Sequence, residues 1–214
     1  MKKMRNILMG LMLSLVISFP AIGSINIDID DNTYLHTQEG FTSLLEGQSV
    51  TVEGVTVAAQ DIQGGDRWRG SISGCDFSDL YGDFCQADST KIPADELKVT
   101  ITGLDASADY NISIYVFDTN QSGVHTQVWK ANGVDNWLTT SFDGSVDPMD
   151  EFTYKYTATA ASDATGQIIL ESGFSAESSG KYAWLNGLQI AEVPEPATLI
   201  LLGLGGLGLI RRRH

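Results

Sequence analysis

Wherever this chain is regular, it alternates with period two. Leu97-Lys-Val-Thr-Ile-Thr102 and Tyr110-Asn-Ile-Ser-Ile-Tyr-Val-Phe117 set an apolar side chain at every second position. The β-branched and aromatic types used there suit a pleated, half-buried surface. A helix would instead need its apolar positions three and four residues apart, and no long segment between the two ends of the chain shows that spacing. The same reading marks residues 25–29, 50–58, 67–72, 124–130, 137–141, 152–159, 167–171 and 182–190 as strands, and residues 42–45 as a short helical candidate. Asn132-Gly133 reads as a turn followed by a few loop residues, and residues 103–109 link two strands with the Gly, Asp and Ser that turns favour. Many short strands joined by polar turns predict an all-β fold, an antiparallel β-sandwich. At this length a jelly-roll-like sandwich fits better than a seven-stranded immunoglobulin-like one.

Both ends of the chain have a different character. Lys2, Lys3 and Arg5 precede an apolar stretch over residues 7–19, and Ala21-Ile22-Gly23 supplies small residues before a cleavage point. That order predicts a signal peptide over residues 1–23, cut by signal peptidase between Gly23 and Ser24. A retained signal anchor is the competing reading. At the other end, Val193-Pro194-Glu195-Pro196 leads into an uncharged apolar run over residues 197–210 and then Arg211, Arg212 and Arg213. At about 1.5 Å per residue that run makes roughly 21 Å of helix against a hydrocarbon core of roughly 30 Å, so it predicts a short, marginal transmembrane helix. The terminal arginines favour a cytoplasmic C-terminus and an external body. An ordinary single-span anchor with a Pro-rich flank is the alternative.

This C-terminal layout resembles the PEP-CTERM sorting signal of Gram-negative bacteria. The resemblance implies recognition by exosortase, a membrane-embedded cysteine transpeptidase, and cleavage near Pro-Glu-Pro. It also implies transient residence in the inner membrane, export to the cell surface or extracellular matrix, and association with exopolysaccharide and biofilm. The chain thus divides into residues 1–23, a β-sandwich domain over residues 24–192 and a sorting signal over residues 193–214.

Charge narrows the partners of the central body. The sequence holds 27 Asp and Glu against 13 Lys and Arg, a formal net charge of −14, and several of the basic residues lie in the two ends. Such a surface repels nucleic acid and anionic headgroups, and divalent cations are its natural counterions. Cys75 and Cys85 are the two cysteines, and export would carry them into an oxidising compartment, which predicts a disulfide between them. A reactive thiol or metal pair is the rival, with the wrong spacing for zinc.

Catalysis has little behind it. His36, His125 and His214 are scattered, and no G-x-S-x-G, H-E-x-x-H or Cys-His pairing occurs. The expectation is a non-enzymatic protein; a polysaccharide-active enzyme would need only two placed carboxylates, and no pair stands out. Asp28, Asp30, Asp31 and Asn32 gather oxygen donors suited to calcium, and Asp76, Asp79 and Asp83 form a second acidic group, although acidic loops facing water would look the same. Trp68 and Trp137 have polar neighbours fitting a sugar-binding rim, with burial as the alternative, while Trp129 and Trp184 sit in apolar alternation and read as core. A carbohydrate-binding module with a defined sugar site is therefore the second functional reading.

Two further stretches carry a fold resemblance. Ile101-Thr-Gly-Leu-Asp with Tyr110-Asn-Ile-Ser-Ile-Tyr115, and Gly180-Lys-Tyr-Ala-Trp-Leu-Asn-Gly-Leu-Gln-Ile190, resemble the strands of galactose-binding-like jelly rolls. The first also resembles fibronectin type III strands. The jelly-roll resemblance implies a structural calcium near the first strand, at residues 28–32.

Overall fold

The computed structural model describes residues 23–30, 36–45, 47–60, 66–70, 72–88, 97–173 and 182–194. Residues 1–22 of the expected signal peptide, Asp31, Asn32 and the sorting segment from Glu195 onward lie outside the described residues. Among the described residues, no helix is long and apolar enough to cross a membrane.

The strands are β1 (Ile25–Asp30), β2 (Thr42–Leu45), β3 (Ser49–Val52), β4 (Val55–Gln60), β5 (Asp66–Trp68), β6 (Asp83–Asp88), β7 (Leu97–Thr102), β8 (Asp109–Tyr115), β9 (Val124–Ala131), β10 (Val134–Asp143), β11 (Lys155–Ala161), β12 (Ile168–Gly173), β13 (Tyr182–Leu185) and β14 (Gly187–Glu192). One short helix, α1 (Ser78–Gly82), precedes β6. A five-stranded sheet runs β11-β8-β14-β1-β2, a six-stranded sheet β10-β9-β12-β7-β4-β3, and a three-stranded sheet β13-β6-β5. One hydrophobic cluster draws on all three, with Ile27 and Ile112 from the first, Val99 and Leu170 from the second, and Phe84 and Trp184 from the third. The result is an all-β sandwich of mainly antiparallel sheets carrying a small extra sheet.

Alternation predicts the strands buried on one face best. β7 shows it cleanly, with Leu97, Val99 and Ile101 buried and their neighbours half-buried. Trp129 and Trp184 are wholly buried, as their apolar settings imply.

Several expectations are corrected. Residues 42–45 form a strand, not a helix: they pair parallel with β1, and Leu44 is buried opposite Ile29. Four residues cannot offset helix nucleation, whereas an open sheet edge supplies partners at once. Residues 50–58 are two strands joined through Glu53 and Gly54, both at positive φ, with Val52 paired to Val55. The gap of three between Val52 and Val55 is the break in alternation that marks this turn. Asn132 and Gly133 make a two-residue turn of the same kind, so Ala131 pairs directly with Val134. The residues read as loop after it form an irregularity inside β10, where Asn136 has φ 54°.

Residues 182–190 also split. β13 pairs with β6, and after Asn186 the chain enters β14 between β8 and β1. The side chain of Gln127 bridges to this segment, accepting the Trp184 N–H at 2.8 Å and donating to the Trp184 carbonyl at 3.0 Å. It supplies from the second sheet the partners that β13 needs on that side.

The predicted disulfide is absent: Cys75 and Cys85 are both buried and are not joined to each other. Cys75 lies in the turn ahead of α1, while Cys85 sits within β6 opposite Asp66 and Leu185. Each thiol packs into the apolar core, and burial raises the Cys75 thiol above its ordinary value, away from the reactive thiolate. Compartment and cysteine count carry no information about which way the two side chains face.

Candidate metal centre

On β1, period-two geometry sends Ile25, Ile27 and Ile29 to one face and Asp28 and Asp30 to the other. The isoleucines enter the core. The acids would normally face water, but both are fully buried. The covering layer is the segment that holds α1 and the start of β6. Gly187, paired with Asp28, shows how closely this layer sits: a Cβ there would lie 2.6 Å from Leu80 Cδ1 and 2.7 Å from the Ile27 carbonyl oxygen.

That approach brings in Asp83, the first residue of β6, which is also fully buried. One ligand oxygen from each of Asp28, Asp30 and Asp83 lies within 4.8 Å of the others. Two neighbours from the chain after β1 hold the first two acids. The Gln38 N–H donates to Asp28 Oδ2 at 2.6 Å, and the Thr37 hydroxyl donates to Asp30 Oδ2 at 2.7 Å. Asp28 Oδ1 and Asp30 Oδ1 are buried and accept no hydrogen bond. The Gln38 amide also donates to the Asp76 carbonyl at 3.3 Å, tying this loop to the turn before α1.

Electrostatics reflect the crowding. Burial pushes the Asp28 carboxyl up to about 8, and the charges of Asp30 and Asp79 push the same way against the Gln38 hydrogen bond. Buried acids gathered in one cluster repel one another when ionised, which favours a bound proton or a shared cation. The donors are all carboxylate oxygens, a set that suits a hard divalent ion.

Beside the cluster lies a paired acid with a different role. Asp118, also fully buried, receives Arg69 in a bidentate pair, Nε to Oδ1 at 3.0 Å and Nη2 to Oδ2 at 3.2 Å. Arg69 stands over the Phe84 ring at 5.3 Å, and its N–H donates to the Gly82 carbonyl at 2.7 Å. This pair clamps the end of α1 to the segment after β8.

The sequence-derived sites fare differently. Asp28 and Asp30, two of the four residues that the sequence marks for a cation, lie together, and the third carboxylate beside them is Asp83, which the sequence places in a separate acidic group. Asp31 and Asn32 lie outside the described residues. Trp137 is half-buried against the core, and its indole N–H donates to the Thr159 carbonyl at 2.8 Å. Trp68 lies on β5, at the edge of the three-stranded sheet, with its backbone paired to Asp83. Gly23 and Ser24 stand exposed just before β1, and after β14 come a half-buried Val193 and an exposed Pro194.

Comparison with known proteins adds two findings. In fold, the chain resembles the ANXUR1 extracellular domain from Arabidopsis thaliana, at TM-score 0.53 and 11% identity, over 80% of this chain and 48% of that one. It likewise resembles the ANX2 ectodomain from Arabidopsis thaliana, at TM-score 0.54 and 10% identity, over 80% of this chain and 50% of that one. The chain thus spans about half the length of these plant extracellular structures, and the likeness is one of fold. No curated protein matches the sequence at a significant level. Residues 192–213 match the PEP-CTERM protein-sorting motif. The motif implies export in a Gram-negative bacterium, with an exosortase as the processing partner.

Proposed function

We propose that this protein is a non-enzymatic component of the cell surface or extracellular matrix, released from its sorting signal near Pro-Glu-Pro and associated with exopolysaccharide. The observation that carries the proposal is the position of the sorting motif relative to the fold. β14 ends at Glu192, and the Val193 N–H still donates to the Asp109 carbonyl at 2.9 Å. The matched motif begins at residue 192, where the last strand ends. Cleavage near Pro-Glu-Pro would therefore free the whole sandwich without removing a paired strand. A jelly-roll kind of sandwich is part of this reading, supported by the first and last strands, β1 and β14, lying side by side in one sheet. The acidic surface suits a hydrated polymer matrix bridged by divalent cations better than nucleic acid.

Intact-mass measurement of the native protein, in the wild type and in a strain lacking the exosortase, tests the proposal. The expected result is a wild-type chain ending near Pro-Glu-Pro that becomes longer in the deletion strain. A mass that retains Arg211, Arg212 and Arg213 in both strains would mean a plain anchored protein. Co-sedimentation with the host's own polymer then tests the matrix association.

A further inference from the structure

We infer that Asp28, Asp30 and Asp83 together bind one divalent cation of the calcium type, which pins β1 to the start of β6. The first ground is geometric: three carboxylates with no solvent exposure place their ligand oxygens within 4.8 Å of one another. Oxygens that share a calcium ion at about 2.3–2.6 Å stand at most about 5.2 Å apart, and this spacing fits that limit.

The second ground is how the oxygens are used. Asp28 and Asp30 are each tethered through Oδ2, by the Gln38 N–H and the Thr37 hydroxyl. Each keeps Oδ1 buried with no hydrogen-bond donor. Among the described residues, no Lys or Arg forms a salt bridge with either acid. A buried carboxylate oxygen without a donor is strongly unfavourable, and a shared cation satisfies both at once. The contrast with Asp118 is direct: that buried acid has both oxygens engaged by Arg69, and it needs no ion.

The donor set decides the class of ion. It contains no sulfur or imidazole, which argues against zinc and copper. Carboxylate oxygens suit calcium or magnesium, and calcium tolerates the irregular geometry that two strands and a loop impose. Asp28 and Asp30 come from one strand, while Asp83 follows α1, so the ion closes a long loop of chain. The inference does not depend on how the protein is sorted.

The test uses the purified protein stripped with EDTA and followed by thermal unfolding, with CaCl2 and MgCl2 added separately. At calcium about a hundredfold above its dissociation constant, the midpoint should rise by roughly 5–10 °C. Bound calcium, counted by atomic emission, should be one per chain. Asp83→Asn and Asp30→Asn should each weaken calcium binding about tenfold or more, while Asp143→Asn, at a half-buried acid outside the cluster, should leave it unchanged. If an active-cluster variant does not fold, the wild-type titration and the calcium count still decide. Equal midpoints in EDTA and excess CaCl2 with no bound metal would overturn the inference, as would a folded Asp83→Asn variant that keeps the full calcium response. A magnesium response matching that of calcium would overturn the assignment to calcium.

Discussion

The Asn186 side chain, wholly buried, accepts the Phe117 N–H at 2.6 Å through Oδ1 and donates from Nδ2 to the Asp83 carbonyl at 2.7 Å. Its backbone N–H reaches the Tyr115 carbonyl and its own carbonyl receives the Ile29 N–H, both at 2.9 Å. One residue thus satisfies polar groups on β1, on β6 and at the end of β8, at the point where the chain passes from the small sheet into the five-stranded one. Asn186→Ala should leave one donor and one acceptor buried without partners and lower the unfolding free energy by about 2–4 kcal/mol in urea. Asp163 is a residue-scale case of pH linkage. Its Oδ1 accepts the Thr165 hydroxyl and N–H, both at 2.7 Å, and the Gln167 N–H at 3.0 Å, which lowers the Asp163 carboxyl below its ordinary value. A lowered folded value means that the ionised acid favours folding above the unfolded value of about 3.9, and that this contribution is lost as pH falls through the folded value. Asp163→Asn should therefore be less stable than wild type near neutral pH, with the gap closing in acid, as read from urea midpoints at both. Asn186 is visible in the sequence, yet nothing there reveals its role, because period-two alternation runs through it with no break.

At the scale of elements, legibility follows how many faces of a strand are buried. β7 has one buried and one half-buried face, and its sequence bounds coincide with the structural ones. β6 is missed because Asp83, Phe84, Cys85, Gln86 and Ala87 are all buried, so no alternation survives to be read. The same blind spot hides the acidic cluster: Asp28 and Asp30 lie on one strand, but their partner Asp83 belongs to an element the pattern does not show. Packing between these elements rests on Gly187. Its missing side chain leaves room for Leu80 of α1 against β1, and the close atom on the other side is backbone, the Ile27 carbonyl oxygen at 2.7 Å, which cannot rotate away. Gly187→Ala should force α1 and β1 apart and destabilise the protein by about 1–3 kcal/mol. Thermal unfolding checks this, and hydrogen exchange should show the loss of protection concentrated in residues 78–88.

For the molecule as a whole, the end of the last described strand and the start of the sorting motif coincide at Glu192. β14 is an inner strand: it pairs with β8 from Gly187 to Glu192 and with β1 on its other side. Inner strands satisfy backbone groups on both edges, so removing one exposes the ladders of its two neighbours as well as the core side chains Leu188 and Ile190. A chain cut after Pro194 keeps every one of these pairings and the Val193 hydrogen bond to Asp109. It should unfold at the same temperature as a chain extended through Pro196. A chain cut after Asn186 loses the strand that joins β1 to β8, and it should fail to give a cooperative transition. Comparing the three by calorimetry separates a sorting signal that begins after the folded body from one whose residues help to hold it. A drop in midpoint for the cut after Pro194 would mean that the segment beyond it contributes to the fold, and that processing near Pro-Glu-Pro weakens the protein it releases.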